Sequence, residues 1–188
     1  PKSGLMNDPN GLAYFQGSYH VFFQWYPYDA VHGLKHWGHT TSQDLIHWSD
    51  QEMALIPNQE FEKNGCYSGN AIEHDGQLFL FYTANYKTPA GKIAKQAMAI
   101  MSSDGSIKKL AAPIIDGAPE GLSGELRDPF VFERDDQFYM LLGGSKFTGE
   151  NREGFGDEGV LLLYQSDDLY NWHYVALIDL PIDTGYML

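Results

Sequence analysis

Two short stretches concentrate the residue types that can do chemistry: Asn7-Asp8-Pro9 and Arg127-Asp128-Pro129. Each sets a carboxylate directly before a proline. Proline disfavours the helical region for the residue before it, so both aspartates are expected in extended backbone, with the direction of each carboxylate fixed. Arg127 places a permanent positive charge beside Asp128, which favours the ionised carboxylate and offers donors to a polar substrate. A lone Asx-Pro pair often does no more than start a turn. What gives these two weight is their equivalent position in a repeat. Gln24, Trp25, Trp37, Tyr67 and Ser68 surround them in the pattern with amides, a hydroxyl and aromatic rings. That mixture suits a sugar, which offers hydroxyls to amides and carboxylates and C–H faces to rings.

A second constellation competes. His32, His36 and His39 have a spacing that could ligate zinc. They lie in a glycine-containing loop running into Trp37-Gly38 rather than on one helix face, so no metal is expected there, and no cofactor is implied. There is no phosphate loop, no dinucleotide fingerprint and no Gly-x-Ser-x-Gly elbow. The pair Lys108-Lys109 reads as a solvated turn.

The elements that must position the two aspartates repeat. Asn7–Phe23, Ser68–Tyr82 and Arg127–Leu141 share one form: an apolar run, a tight turn and an aromatic-rich run. Their turn residues Gly17, Gly76 and Asp136 lie 59 and then 60 positions apart. A second element recurs as Ser42-Gln-Asp-Leu-Ile-His-Trp48 and Ser166-Asp-Asp-Leu-Tyr-Asn-Trp172, with Ser102-Ser-Asp-Gly105 as a shorter echo. The runs Tyr19–Trp25, Leu78–Ala84, Phe138–Gly143 and Val160–Ser166 are short, aromatic or β-branched, and bounded by turn residues. No extended stretch carries a helical apolar period. The chain is therefore expected to be all-β. Four short strands per unit of about 60 residues is the signature of a β-propeller blade, with the innermost strands lining a central channel. A β-sandwich with similar hairpins is the alternative.

At this period 188 residues hold about three blades, which cannot close a ring. Either the chain is part of a longer one or an open sheet edge pairs with another copy. The apolar end, Leu180–Leu188, predicts continuation.

Composition excludes other classes. Twelve Lys and Arg against 25 Asp and Glu give a net charge of −13, which disfavours nucleic-acid and anionic-membrane partners. No apolar run approaches the roughly 20 residues of a membrane span. With 43% hydrophobic residues, 4 Trp, 12 Tyr and 11 Phe, the chain can build a core. The lone Cys66 excludes an internal disulfide. Together with the lack of a signal-like segment, it points to the cytoplasm, with extracellular placement open if an upstream signal is removed.

Several motifs together resemble family 32 of the glycoside hydrolases: Leu5–Gly11, Gln24-Trp25, Trp37-Gly38-His39, the Ser-x-Asp-Leu-x-x-Trp element, Gly65–Gly69 and Arg127–Pro129. The Asn-Gly-Cys-Tyr-Ser-Gly stretch is most similar to the sucrose-6-phosphate hydrolase (invertase) branch. Leu5 stands where many relatives carry Trp. The resemblance implies a five-bladed propeller hydrolysing β-fructofuranosides with retention, so the expected partner is a small fructoside. It makes Asp8 the nucleophile and Asp128 the carboxylate that binds sugar hydroxyls and stabilises an oxocarbenium-like transition state. It puts Leu5, Met6, Asn7, Gln24, Trp37, Tyr67, Ser68 and Arg127 around the fructose. The family's general acid is a Glu in a Glu-Cys pair. The only cysteine here follows Gly65, so the resemblance places that acid beyond Leu188 and makes residues 1–188 an incomplete catalytic propeller, inactive alone. The family's C-terminal β-sandwich has no counterpart here either. The open alternatives are a related furanosidase acting on arabinan or xylan and a non-catalytic sugar-binding propeller.

Overall fold

A computed structural model describes residues 3–89, 91–149, 156, 158–178 and 180–186. Those residues form twelve strands in three four-stranded antiparallel meanders. The first holds β1 (Leu5–Phe15), β2 (Ser18–Tyr26), β3 (His36–Ser42) and β4 (Glu52–Leu55). The second holds β5 (Cys66–His74), β6 (Gln77–Thr88), β7 (Gly91–Met101) and β8 (Ile107–Lys109), and the third β9 (Leu122–Arg134), β10 (Gln137–Lys146), β11 (Glu158–Ser166) and β12 (His173–Ile178). Each sheet runs in sequence order, and the first strands β1, β5 and β9 lie side by side. These are about three blades of a β-propeller with their innermost strands adjacent. Among the described residues no helix is long and apolar enough to cross a membrane.

The expected turns are where the spacing put them. Both central residues have positive φ in each first hairpin: Gln16 (48°) and Gly17 (78°), Asp75 (50°) and Gly76 (71°), Asp135 (53°) and Asp136 (59°). That is the geometry whose twist matches a two-residue hairpin, and Asp tolerates it nearly as Gly and Asn do. The Ser-x-Asp-Leu-x-x-Trp elements are structural twins. Asp44 Oδ1 accepts from the amides of Ile46 and His47 at 2.9 and 2.8 Å, and Asp168 Oδ1 accepts from those of Tyr170 and Asn171 at the same distances. Leu45 and Leu169 take the left-handed turn at φ 63° and 67°. Both motifs are folding devices at the blades' outer rim rather than site components.

Packing follows from the period of two. In β6 the side chains of Leu78, Leu80 and Tyr82 face the first blade, where Phe22, Trp37 and Leu55 meet them. Their neighbours Phe79 and Phe81 face the third blade and meet Leu126, Met140 and Leu162. A strand covered on both faces reads as a continuous apolar run, and burying each large side chain contributes about 1.5–3 kcal/mol. The outer faces of the first and third sheets keep large apolar groups exposed, including Met6, Leu12, Phe130 and Val175.

The lysine pair departs from its sequence reading. Lys108 and Lys109 lie in β8, and the Lys109 ammonium is a partly buried partner of the fully buried Glu62 carboxylate. Glu62 also accepts from Tyr82 Oη at 2.7 Å and from the amides of Asn58 and Gln59 at 3.0 and 3.2 Å. A charge-only reading of two adjacent lysines misses a carboxylate 47 residues away. Met187 and Leu188, in the apolar end, lie outside the described residues.

Candidate active site

The site is built on irregularities of the three innermost strands. In β1 the pairing steps from Asn7↔Gln24 to Pro9↔Phe23, leaving Asp8 as the extra residue. In β5 it steps from Cys66↔Ala84 to Gly69↔Tyr82, so Tyr67 and Ser68 stand opposite one partner. In β9 it steps from Arg127↔Gly143 to Phe130↔Leu141, so Asp128 and Pro129 do the same. A bulge bends its strand and re-aims the extra side chain. Three equivalent bulges thus turn Asp8, Tyr67-Ser68 and Asp128 out of the ladder at one level of the channel.

This changes the expected backbone of the two aspartates. Asp8 (φ 46°) and Asp128 (φ 58°) are left-handed, not extended. The bulge demands that conformation, Asp adopts it at lower cost than most residues, and the proline's disfavour falls mainly on the right-handed region. Strain of this kind, at the same place in two blades, is characteristic of functional positions.

Around Asp8 the polar contacts are dense. Its Oδ2 accepts from Gln24 Nε2 at 2.9 Å and from Ser68 Oγ at 3.1 Å, and Gln24 Nε2 also meets Ser68 Oγ at 2.5 Å. The carboxylate remains exposed, although the Gln24 that holds it is buried. Next to it, Asn7 Oδ1 accepts from Lys35 Nζ at 2.7 Å. Lys35 is only 4% exposed; burial lowers its ammonium pKa, and the Asp8 charge works against that shift.

Asp128 is held through its backbone. Its amide donates to Thr83 Oγ1 at 2.9 Å, Thr83 Oγ1 donates to Gln96 Oε1 at 3.1 Å, and Gln96 Nε2 donates to the Leu126 carbonyl at 2.9 Å. Both intermediate side chains are fully buried. The carboxylate pKa lies above the ordinary range. Partial loss of hydration in a side chain that stays 56% exposed is the largest cause, Arg127 pulls the other way, Asp8 pushes further up, and Lys92 opposes. Arg127 does favour the ionised form, as expected from its charge, but loss of hydration outweighs that one guanidinium and leaves the net direction upward. The Asp8 charge thus reaches Asp128 across the channel side of the blades. Arg127 Nε stands 3.9 Å from Asp128 Oδ2, buried and hydrogen-bonded to no described acceptor.

Tyr67 links the blades. Its carbonyl accepts from Trp37 Nε1 at 2.9 Å, and its ring lies 5.6 Å beneath Lys92 Nζ. Burial and Glu125 raise its phenol pKa while Arg127 lowers it, which places the phenol in the field of both third-blade side chains. Lys92 itself pairs with the buried Glu125 at 2.6 Å.

Gln24, Ser68 and Asp8 thus form one bonded group, with Asn7 beside it on Lys35, and Tyr67, Arg127 and Asp128 form its neighbour. Trp37 is fully buried among Phe22 and Tyr82 and reaches the site only through its indole N–H. Met6 points away from Asp8, into an apolar hollow with Pro9, Phe23 and Trp48, and Leu5 is half-buried at the start of β1. The histidines separate: His36 Nδ1 meets the Leu34 carbonyl at 2.9 Å, His39 Nε2 meets His20 Nδ1 at 2.9 Å, and His32 is exposed. Among the described residues no group of three or more His, Cys, Asp or Glu is placed to hold a metal. Sequence reasoning missed Lys35, Thr83 and Gln96. Only the polar interruptions of otherwise apolar strands signalled the last two.

A propeller segment thus carries two bulged carboxylates on its inner strands, one of them held by an amide and a hydroxyl, in a polar, solvent-open site. The chain belongs to the glycosyl hydrolases: the family 32 N-terminal domain matches residues 1–188. It is 42% identical over 179 residues to the sucrose-6-phosphate hydrolase of Klebsiella pneumoniae, covering 95% of this chain and 36% of that one. The sucrose-6-phosphate hydrolase structure from Lactobacillus gasseri superposes with a TM-score of 0.89 at 41% identity, covering 100% of this chain and 37% of that one. A Bombyx mori family 32 β-fructofuranosidase mutant in complex with sucrose superposes with a TM-score of 0.84 at 36% identity, covering 100% and 38%. The chain thus spans little more than a third of the length of the relatives it matches.

Proposed function

We propose that this chain is the nucleophile-bearing part of a retaining β-fructofuranosidase that acts on sucrose 6-phosphate or sucrose. The observation that carries the reading is the Asp8 carboxylate, exposed at a bulge while Gln24 and Ser68 hold its Oδ2. With Oδ2 engaged, Oδ1 faces the sugar. Attack by Oδ1 on the anomeric carbon forms an ester and breaks the glycosidic C–O bond. The leaving oxygen takes a proton from a general acid, supplied by sequence outside these 188 residues, and water then hydrolyses the ester through the same acid acting as base. Asp128 and Arg127 bind ring hydroxyls, and the Asp128 charge opposes the positive charge that develops on the ring. Asn7 and Tyr67 line the same pocket, with Leu5 and Trp37 supporting it, whereas Met6, turned into the hollow with Pro9 and Trp48, lies outside it. The exposed apolar faces of the first and third sheets fit an incomplete propeller whose further blades complete the ring. A phosphorylated sugar does not cross a bilayer passively, which fits a cytoplasmic enzyme.

The test is product analysis with the full-length protein that carries this chain. Fructose released from sucrose or its 6-phosphate as the β-anomer supports the reading. Arabinose released from arabinan with both sucroses untouched would select the rival furanosidase, and sugar binding without turnover would select a binding propeller.

A further inference from the structure

Beside the Asp8 group lies a cavity of about 380 Å³ lined by His32, Gly33, Leu34, Lys35, Asn64, Tyr67 and Lys87. Its size is that of a small-ligand site. It adjoins the carboxylate site through two of its walls: Lys35 donates to Asn7, and Tyr67 precedes the Ser68 that bonds Asp8. Its charge is unlike that of the molecule. In a chain with 25 acidic and 12 basic residues, two of the lysines and an imidazole meet here, and none of the described lining residues is acidic.

From this we infer that the cavity is the phosphate subsite of the substrate, a sugar monophosphate whose fructosyl end lies at Asp8. The inference rests on the fructosidase reading and adds its specificity-determining residues, Lys87 and His32. Two ammonium groups and an imidazole suit a phosphate dianion, and the Asn64 and Tyr67 side chains add polar partners. Lys35 then serves two groups, bonding Asn7 and contributing charge to the cavity. Both Lys87 and His32 are exposed, so neither is part of a core. The Lys87 amide donates to Asn64 Oδ1 at 2.7 Å, a contact that substitution of its side chain preserves.

The experiment uses the full-length protein and its Lys87→Ala, Lys87→Glu and His32→Ala variants. The readout is the ratio of kcat/KM for sucrose 6-phosphate to that for sucrose. Loss of one charge-assisted contact at an exposed site should lower the ratio about tenfold in Lys87→Ala, more in Lys87→Glu, with the loss in KM. Inhibition by inorganic phosphate should weaken in parallel. An unchanged ratio in Lys87→Glu would overturn the inference while sucrose turnover leaves the fructosidase reading standing. If the wild type cleaves neither sugar, that reading falls, and calorimetric titration with inorganic phosphate decides the cavity alone: binding lost in Lys87→Glu supports an anion site, and no binding to the wild type refutes it.

Discussion

Substituting Glu62 by leucine should cost more stability than any surface change in this chain. The carboxylate is fully buried and is shared by Tyr82 Oη, two backbone amides and the Lys109 ammonium. Leucine removes the carboxylate and leaves that ammonium with neutral partners only, the Ile56 carbonyl and Asn58 Oδ1, beside a Cys66 thiol whose pKa burial pushes up. Removing one partner of a buried pair costs about 3–5 kcal/mol, most of it the desolvated charge left behind. At about 2–4 °C per kcal/mol for a chain of this length, Tm should fall by about 10 °C. Urea unfolding of the wild type, Glu62→Leu, and Glu62→Leu with Lys109→Met measures both the loss and its cause. The double variant should recover about half of it, since no unpaired charge remains. A single-variant loss below about 1 kcal/mol, or a double variant worse than the single, would refute the reasoning. The position matters because this carboxylate ties down the segment leading into Cys66 and Tyr67.

Acid should destabilise the fold through His39, whose pKa burial depresses to about 4, with His20 adding to the shift. The unfolded chain takes up a proton near pH 6.5 and the folded one does not until about 4. Stability from this group is therefore present above pH 6.5 and lost as pH falls towards 4, by about 2 kcal/mol at pH 4.5; urea melts of wild type and His39→Gln at pH 7 and 4.5 check it, and equal pH dependence in both would contradict it. In the full-length protein, Asp128→Asn should lower kcat more than it raises KM, because its charge matters most as the ring becomes cationic. Steady-state kinetics showing an effect on KM alone would make Asp128 a binding residue only.

The architecture was legible because its signals are local and repeat. Gly17, Gly76 and Asp136 mark hairpins whose φ values depend on the turn residues themselves, and Asp44 and Asp168 build the same turn from five neighbouring positions. The bulges were not legible. Nothing local to Asn7-Asp8-Pro9 announces that Asp8 is the residue skipped by its partner strand, so proline chemistry alone implied an extended backbone. Charge sums were incomplete: the net shift at Asp128 also depends on lost hydration and on Asp8, 120 positions earlier, and Lys109 finds Glu62 only once β8 completes the sheet that begins just after Glu62. Lys35 escaped notice because its partner, Asn7, is 28 residues away. Motif spacing names the residues at the channel, whereas long-range pairing decides how each is held.

The central claim is that Asp8 carries the fructosyl group. Its most direct test is mass spectrometry of the full-length protein quenched during turnover of fructosyl fluoride, a substrate whose leaving group needs no protonation. The account predicts one fructosyl residue esterified to the peptide that contains Asp8, and no adduct and no turnover in a folded Asp8→Asn variant. Wild-type rates in that variant, or an adduct on any other side chain, would contradict it.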